Sequence, residues 1–170
     1  EEFPRAFGVL LPLAGLPGRH GIGDLGPESV RWLDWLSSAG VTWWQMLPVG
    51  PLGPGNSPYA SSSAFAAEPL YISLELLRDD GLLGPGDIEG PKELRAGNVR
   101  YRRVRRFKEE RLQLAFEEWR ASKGDLAAET AAFRAAEAGW LEPWLDHAAR
   151  EGGDEAAARA LFLQLTFQRQ

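Results

Sequence analysis

The sequence predicts an α/β fold built on a parallel sheet and continued by a helical half. Three observations carry this. Two short β-favouring apolar runs, Phe7 to Leu11 and Val41 to Leu47, flank a stretch in which Val30, Leu33 and Leu36 recur at helical spacing. Strand, helix and strand in succession make a βαβ unit, which implies parallel pairing with a right-handed crossover. From about Asn98 onward apolar residues keep a helical period. The composition over 170 residues, 44% hydrophobic and 25% charged, is that of a globular chain and excludes a disordered or collagen-like one.

The elements follow in order. The apolar stretch from Ala6 to Pro17 imitates a signal-peptide core, but Glu1 and Glu2 stand where a basic segment belongs, so it reads as a buried strand. Glycines and prolines between Leu16 and Gly23 close that strand. Pro27 at a first helical position, with Glu28 beside it, opens a helix flanked by Trp32 and Trp35, and Gly40 stops it. Pro48 and Gly50 bound the second strand, and residues 50–63 form a long loop without apolar period. Leu70 to Ile72 predicts a third strand. Ser73 caps a short helix over Leu74 to Arg78, and Gly81 to Gly90 reads as a linker.

Asn98 caps a helix with Val104, Phe107, Leu112, Phe116 and Trp119 on one face, ending before Gly124. Asp125 caps another, Pro143 interrupts the next, and Asp154 caps the last. That last helix is strongly apolar and carries no stop residue. It is expected to belong to a longer chain, and to leave Leu161, Phe162, Leu165 and Phe167 bare unless something packs on them.

Charge and residue counts exclude several functions. With no cysteine there is no disulfide framework, thiol nucleophile or cysteine-based zinc site, and two histidines cannot make a histidine-rich metal centre. A net charge of −5 is a poor match for nucleic acid. The basic run between Arg95 and Arg111, Lys108 included, spreads around its helix, and Glu109, Glu110, Glu117 and Glu118 stand ready to pair with it at i, i+4. It reads as a solvated, salt-bridged face. No stretch reaches the ~18 apolar residues of a membrane span.

No catalytic residue emerges. Ser57, Ser61, Ser62 and Ser63 lack a Gly-x-Ser-x-Gly elbow. His20 lies in a turn and reads as solvent-facing, and His147, near Asp146 and Arg150, as a surface residue. Gly21-Ile22-Gly23 and Gly50-Pro51-Leu52-Gly53 fit no phosphate fingerprint. Nothing in the spacing of Asp24, Asp34, Glu68 and Glu75 singles out two facing carboxylates.

The loop over residues 48–69 is the stronger candidate, because α/β folds bind ligands at the carboxyl ends of their strands. Ser57, Tyr59 and the serines at 61–63 offer hydroxyls beside an aromatic face, and Pro51, Pro54 and Pro58 stiffen the backbone. Sugars present hydroxyls around a flat apolar face, which such a lining suits. A proline-stiffened connector has the same composition. Seven tryptophans serve packing first, and indole faces also stack on sugars.

Several motifs in this half share one order with a known family. Phe7-Gly8-Val9-Leu10-Leu11, Leu16-Pro17-Gly18 and Gly21-Ile22-Gly23-Asp24-Leu25-Gly26 come first. Trp44-Gln45-Met46-Leu47-Pro48, Ser57-Pro58-Tyr59 and Ser63-Ala64-Phe65-Ala66 follow. Together they resemble the start of the 4-α-glucanotransferases, also called amylomaltases or disproportionating enzymes.

The resemblance implies the N-terminal part of a (β/α)8 barrel with a helical insertion subdomain. The barrel would be incomplete, since a whole one needs about 250 residues. The implied layout is residues 1–80 as first β/α units, 81–153 as helical insertion and 154–170 as the start of a barrel helix. The implied function is transfer of α-1,4-glucan segments between maltooligosaccharides. It is a retaining reaction through a glycosyl-enzyme, with an Asp nucleophile, a Glu acid/base and a helper Asp, the two reacting carboxyls being about 5 Å apart. Those three belong to later strands, so residues 1–170 alone are expected to be inactive.

Ser57 and Tyr59 match the Ser-Pro-Tyr motif and are the implied substrate contacts. The resemblance implies no metal or organic cofactor, a cytoplasmic location, and neither nucleic acid nor membrane as partner. Four departures stand out. Pro12-Leu13-Ala14-Gly15 replaces the family's His-Pro-Thr-Ser, Ala60 replaces a common Gln, Ala67-Glu68 replaces a common Gly-Asn, and Pro54 stands where some members carry an aromatic for a second glucan chain. A non-catalytic carbohydrate-binding or regulatory protein, and a helical interaction module, are the competing readings.

Overall fold

The computed structural model describes residues 5–95, 97–122 and 126–170. Strands β1 (Gly8–Leu10) and β2 (Trp43–Gln45) pair in parallel, with Gly8 opposite Trp43, Val9 opposite Trp44 and Leu10 opposite Gln45. The crossover is helix α1 (Pro27–Ser38), with Pro27 at its start and Glu28 in its first turn as the sequence predicts. Just past its end Gly40 takes φ +72°, the left-handed turn that a side chain would disfavour. Trp32 of α1 meets Trp44 edge-on at 6.3 Å, and the Trp44 indole N–H donates to the Leu11 carbonyl at 2.8 Å. The outer faces stay bare: Leu10 and Trp43 on the sheet and Val30, Leu33 and Trp35 on α1 are all exposed.

The main core lies beside this unit, under the turn that follows β1. Leu13, Leu16 and Ile22 from that turn pack with Ile72, Leu74 and Leu77, with Ile88, and with the inner faces of two long helices. The segment Leu70 to Ile72 is not a strand. Pro69–Tyr71 is a single 3-10 turn, because proline lacks the N–H a ladder needs and fixes φ for a turn instead. Helix α2 (Leu74–Asp79) begins as expected, with Ser73 Oγ accepting the Leu76 N–H. Residues 81–90 are not a linker, since Leu82, Leu83 and Ile88 are buried in the core.

Helix α3 (Tyr101–Ala121) starts after Arg100, later than the predicted cap at Asn98. Its apolar face is the predicted one, with Val104, Phe107, Leu112 and Phe116 buried and Trp119 half-buried. The predicted cap Asp125 lies outside the described residues, and α4 (Ala127–Ala136) follows. Helix α5 (Ala138–Arg169) runs through Pro143 and breaks at Gly152-Gly153 instead, where Gly153 takes φ +75°. Pro143 lies near the helix start and forfeits a single hydrogen bond, whereas the glycine pair leaves helical backbone at little steric cost.

The apolar end of α5 is covered by this chain itself. Leu161, Phe162, Leu163 and Leu165 are buried, and the Phe162 ring packs on Phe116 and Trp119 at 5.8 and 5.4 Å. Leu161, Phe162 and Leu165, expected to be bare unless something packs on them, are thus covered from within the chain, and Phe167 is half-buried. The face could not be assigned from the sequence because its partner, α3, lies some forty residues earlier. Leu141, Leu145 and Leu161 form a smaller second cluster with Phe133 and Trp140. Among the described residues no helix is long and apolar enough to cross a membrane.

Candidate functional site

Two irregular segments follow the carboxyl ends of the two strands. The first, between β1 and α1, is closed and packed. A Cβ on Gly18 would lie 1.6 Å from the Ile22 carbonyl oxygen, and one on Gly23 would lie 2.0 Å from that of Leu13. Backbone contact, not phosphate binding, demands these glycines.

His20 is fully buried here, contrary to its solvent-facing reading. Its Nε2 lies 2.9 Å from the Ile88 carbonyl and so carries the proton, and its ring stacks on Phe107 at 5.5 Å. Nδ1 has no hydrogen-bond partner and faces Glu75 at 3.7 Å. Burial pushes the imidazole below its ordinary pKa, prevailing over the attraction of Glu75.

Lys108 is also fully buried, which corrects its place on a solvated face. Its ammonium donates to Asp24 and to the Leu70 carbonyl, both at 2.7 Å. His20, Asp24 and Glu75 converge as potential ligands, but Lys108 already neutralises Asp24 and opposes a second cation beside it. The helix neighbours of Lys108 behave differently from the predicted i, i+4 pairs as well. Arg105 bonds Glu68, and Glu109 bonds Arg159 of α5 at 2.7 Å, so α3 spends these charges on other elements.

The second segment, residues 48–69, is anchored at its base and open at its tip. Glu68 is 2% exposed and does not serve as a free acid or base. Its carboxylate accepts the Leu52 N–H at 2.8 Å, the Leu70 N–H at 3.3 Å and the Arg105 guanidinium at 3.2 Å. Gln164 of α5 grips the same base, accepting from Ala67 N at 2.8 Å and donating to Ala67 O at 3.2 Å. Gly55 and Asn56, with φ +70° and +60°, then turn the chain back on itself.

Beyond that turn the two predicted site residues part company. Ser57 is half-buried, and its Oγ caps the next turn by accepting the Tyr59 N–H at 3.3 Å. Tyr59 is 75% exposed and lines a cleft of about 510 Å³ between the loop and helices α4 and α5. Phe65 lines the same cleft, 70% exposed, with its N–H held by Ser63 Oγ at 3.2 Å. Across from them stand Phe133, Trp140 and Gln168. The Phe65 and Trp140 rings stack at 6.3 Å with 16° between planes. The Trp140 indole N–H is held by Glu137 at 2.5 Å. Among the described residues no Asp, Glu, Lys, Arg or His lines this cleft.

The sequence matches the family model described as 4-alpha-glucanotransferase over residues 11–160. The chain belongs to the 4-alpha-glucanotransferase family. It is 42% identical over 144 residues to a 4-alpha-glucanotransferase of Thermus thermophilus, covering 84% of this chain and 28% of that protein. A chloroplastic/amyloplastic 4-alpha-glucanotransferase of Solanum tuberosum is 38% identical over 149 residues, covering 85% of this chain and 25% of its own length. The chain thus spans about a quarter of the length of these relatives. The amylomaltase of Streptococcus agalactiae, solved in complex with acarbose, superposes with a TM-score of 0.85 at 23% identity, over 98% of this chain and 39% of that one. The two-stranded parallel unit with its helical half is therefore an amylomaltase-type α/β fold.

Of the residues that line the cleft, the sequence singled out Tyr59 and left the opposite wall unmarked. Trp140 and Gln168 are brought to the loop by α5 from more than seventy residues away, and no local spacing marks them. A weak signal existed in Phe65, an aromatic in a serine-rich loop with no helical or strand period to account for it.

Proposed function

We propose that the protein is a 4-α-glucanotransferase that passes α-1,4-glucan segments between maltooligosaccharides. This chain supplies the substrate loop and scaffold, and carboxylates outside it do the chemistry. Membership of the family supports the reading, and one observation carries it: Tyr59 stands exposed on an anchored loop at the carboxyl end of a parallel strand. That is where α/β barrels gather their substrate contacts.

The charges of this chain support the same division of labour. Asp24 is bound to Lys108 and Glu68 to Arg105, so both hold backbone in place rather than transferring protons. The exposed face of the sheet and α1 is the apolar surface that further β/α units of a (β/α)8 barrel would cover. Residues 1–80 then form the first units, 81–153 the helical insertion and 154–170 the start of a barrel helix. Ser57 sets the turn that presents Tyr59, and its own O–H remains able to donate to a sugar.

The test is disproportionation of maltotriose by the intact protein, read as glucose release. Tyr59→Ala is expected to lower kcat/KM by roughly 1–3 kcal/mol, as for a lost aromatic platform with its hydrogen bond, while the thermal midpoint stays put. A folded Tyr59→Ala protein with unaltered kinetics would overturn the assignment of the loop. Absence of glucose release by the wild type would overturn the transferase reading.

A further inference from the structure

We infer that the helical half forms the second wall of the carbohydrate site. In this arrangement Phe65 and Trp140 extend the Tyr59 surface to hold the units of a glucan longer than maltotriose. The inference rests on the transferase reading and deepens it, since it names the substrate length that the cleft selects.

The cleft itself has the dimensions and chemistry of a small-molecule site. Its volume of about 510 Å³ falls within the ~300–1,000 Å³ usual for such sites. Its walls combine aromatic rings with the hydroxyls of Ser61 and Ser63 and the amide of Gln168, and among the described residues carry no ionisable acid or base other than the Tyr59 phenol. A neutral polyol fits that lining, whereas a phosphorylated sugar or a charged peptide finds no counter-charge in it.

The platform is pre-organised from both sides. Glu137 holds the Trp140 N–H, Ser63 holds the Phe65 N–H, and Gln164 clamps the loop to α5, which lowers the ordering entropy lost on binding. Phe65 is 70% exposed although its ring stacks on Trp140. A large exposed ring on an anchored backbone, beside hydroxyls, is the arrangement that stacks on the apolar face of a sugar.

The experiment compares maltotriose with maltoheptaose on the intact protein and its Phe65→Ser and Phe65→Leu variants. Steady-state disproportionation and calorimetric binding are both measured. Each variant is expected to raise KM for maltoheptaose about tenfold and to raise KM for maltotriose several-fold less, with kcat little changed for either sugar. Phe65→Leu keeps apolar volume and removes only the flat ring, so it answers the question if Phe65→Ser fails to fold. Equal effects on the two sugars, or no effect, overturn the inference and leave the transferase reading standing. If the wild type releases no glucose from maltotriose, the transferase reading fails by itself. The calorimetric arm still decides the cleft: about tenfold weaker maltoheptaose binding by the variants upholds it, and equal binding overturns it.

Discussion

The segments after β1 and β2 have similar composition and opposite fates. Both are rich in glycine and proline, and both leave a parallel strand at its carboxyl end. The first is sealed under α3, with His20 and Asp24 buried. The second is tied down only at its base, by Glu68 and Gln164, and puts Tyr59 and Phe65 into solvent. In each, the buried carboxylate serves the backbone, and a basic residue of α3 answers it: Lys108 for Asp24, Arg105 for Glu68. The two basic partners differ in their surroundings. Lys108 is wholly enclosed while the Arg105 side chain is 45% exposed, so the first clamp locks a core and the second leaves a loop tip available.

Breaking the enclosed clamp is expected to have the largest effect. Lys108→Met removes the partner of a buried carboxylate and a donor to the Leu70 carbonyl, which costs about 3–5 kcal/mol when a buried pair is halved. Urea unfolding reads it, and adding Asp24→Asn is expected to recover part of the loss, because the uncompensated charge is then gone. A near-neutral Lys108→Met would erase the contrast between the two segments.

The open clamp is worth less in stability and more in function. Glu68→Ala leaves two backbone N–H groups of the loop without their acceptor, and a destabilisation of about 2 kcal/mol is expected. Since the same bonds hold the base beneath Tyr59, KM for maltotriose should rise together with the fall in the unfolding midpoint. A drop in stability with kinetics unmoved would show that the loop tip does not depend on its base.

The smallest effect is one of pH. The folded pKa of His20 lies below its ordinary value of 6.5, so in the window between the two the unfolded chain binds more protons than the folded one. The stability that neutral His20 contributes is complete above pH 6.5 and is lost as pH falls through that value towards the folded pKa. One such group changes stability by at most about 1.4 kcal/mol per pH unit. Asp24, Glu75 and Lys108 surround the ring and share in the field it feels. His20→Gln keeps a donor for the Ile88 carbonyl, and its urea midpoint should fall less between pH 7.5 and pH 5.5 than that of the wild type. Parallel pH profiles would remove His20 from the account.

Local chemistry was legible in the sequence wherever the deciding contacts are local. Pro27, Glu28 and Gly40 bracket α1 because caps act within a turn, and Ser73 opens α2 for the same reason. The apolar spacing of Val104, Phe107, Leu112 and Phe116 named the inner face of α3 before any partner was known. Pro69 outweighs the β propensity of the Leu70 to Ile72 run, because it lacks the N–H that a strand ladder needs.

By itself the sequence determined the parallel βαβ start, the helical second half, and an irregular loop that includes Tyr59. Hydrophobic period, capping and turn chemistry act over a few residues, and so they can be read in order along the chain. Only the tertiary structure decided that His20 and Lys108 are interior, and that Phe65 and Trp140 face each other across a cleft. The Lys108–Asp24 pair joins positions 84 residues apart, and Gln164 reaches Ala67 across 97. A charge is buried only where its partner arrives to meet it, and no spacing along the chain records where a distant partner will arrive.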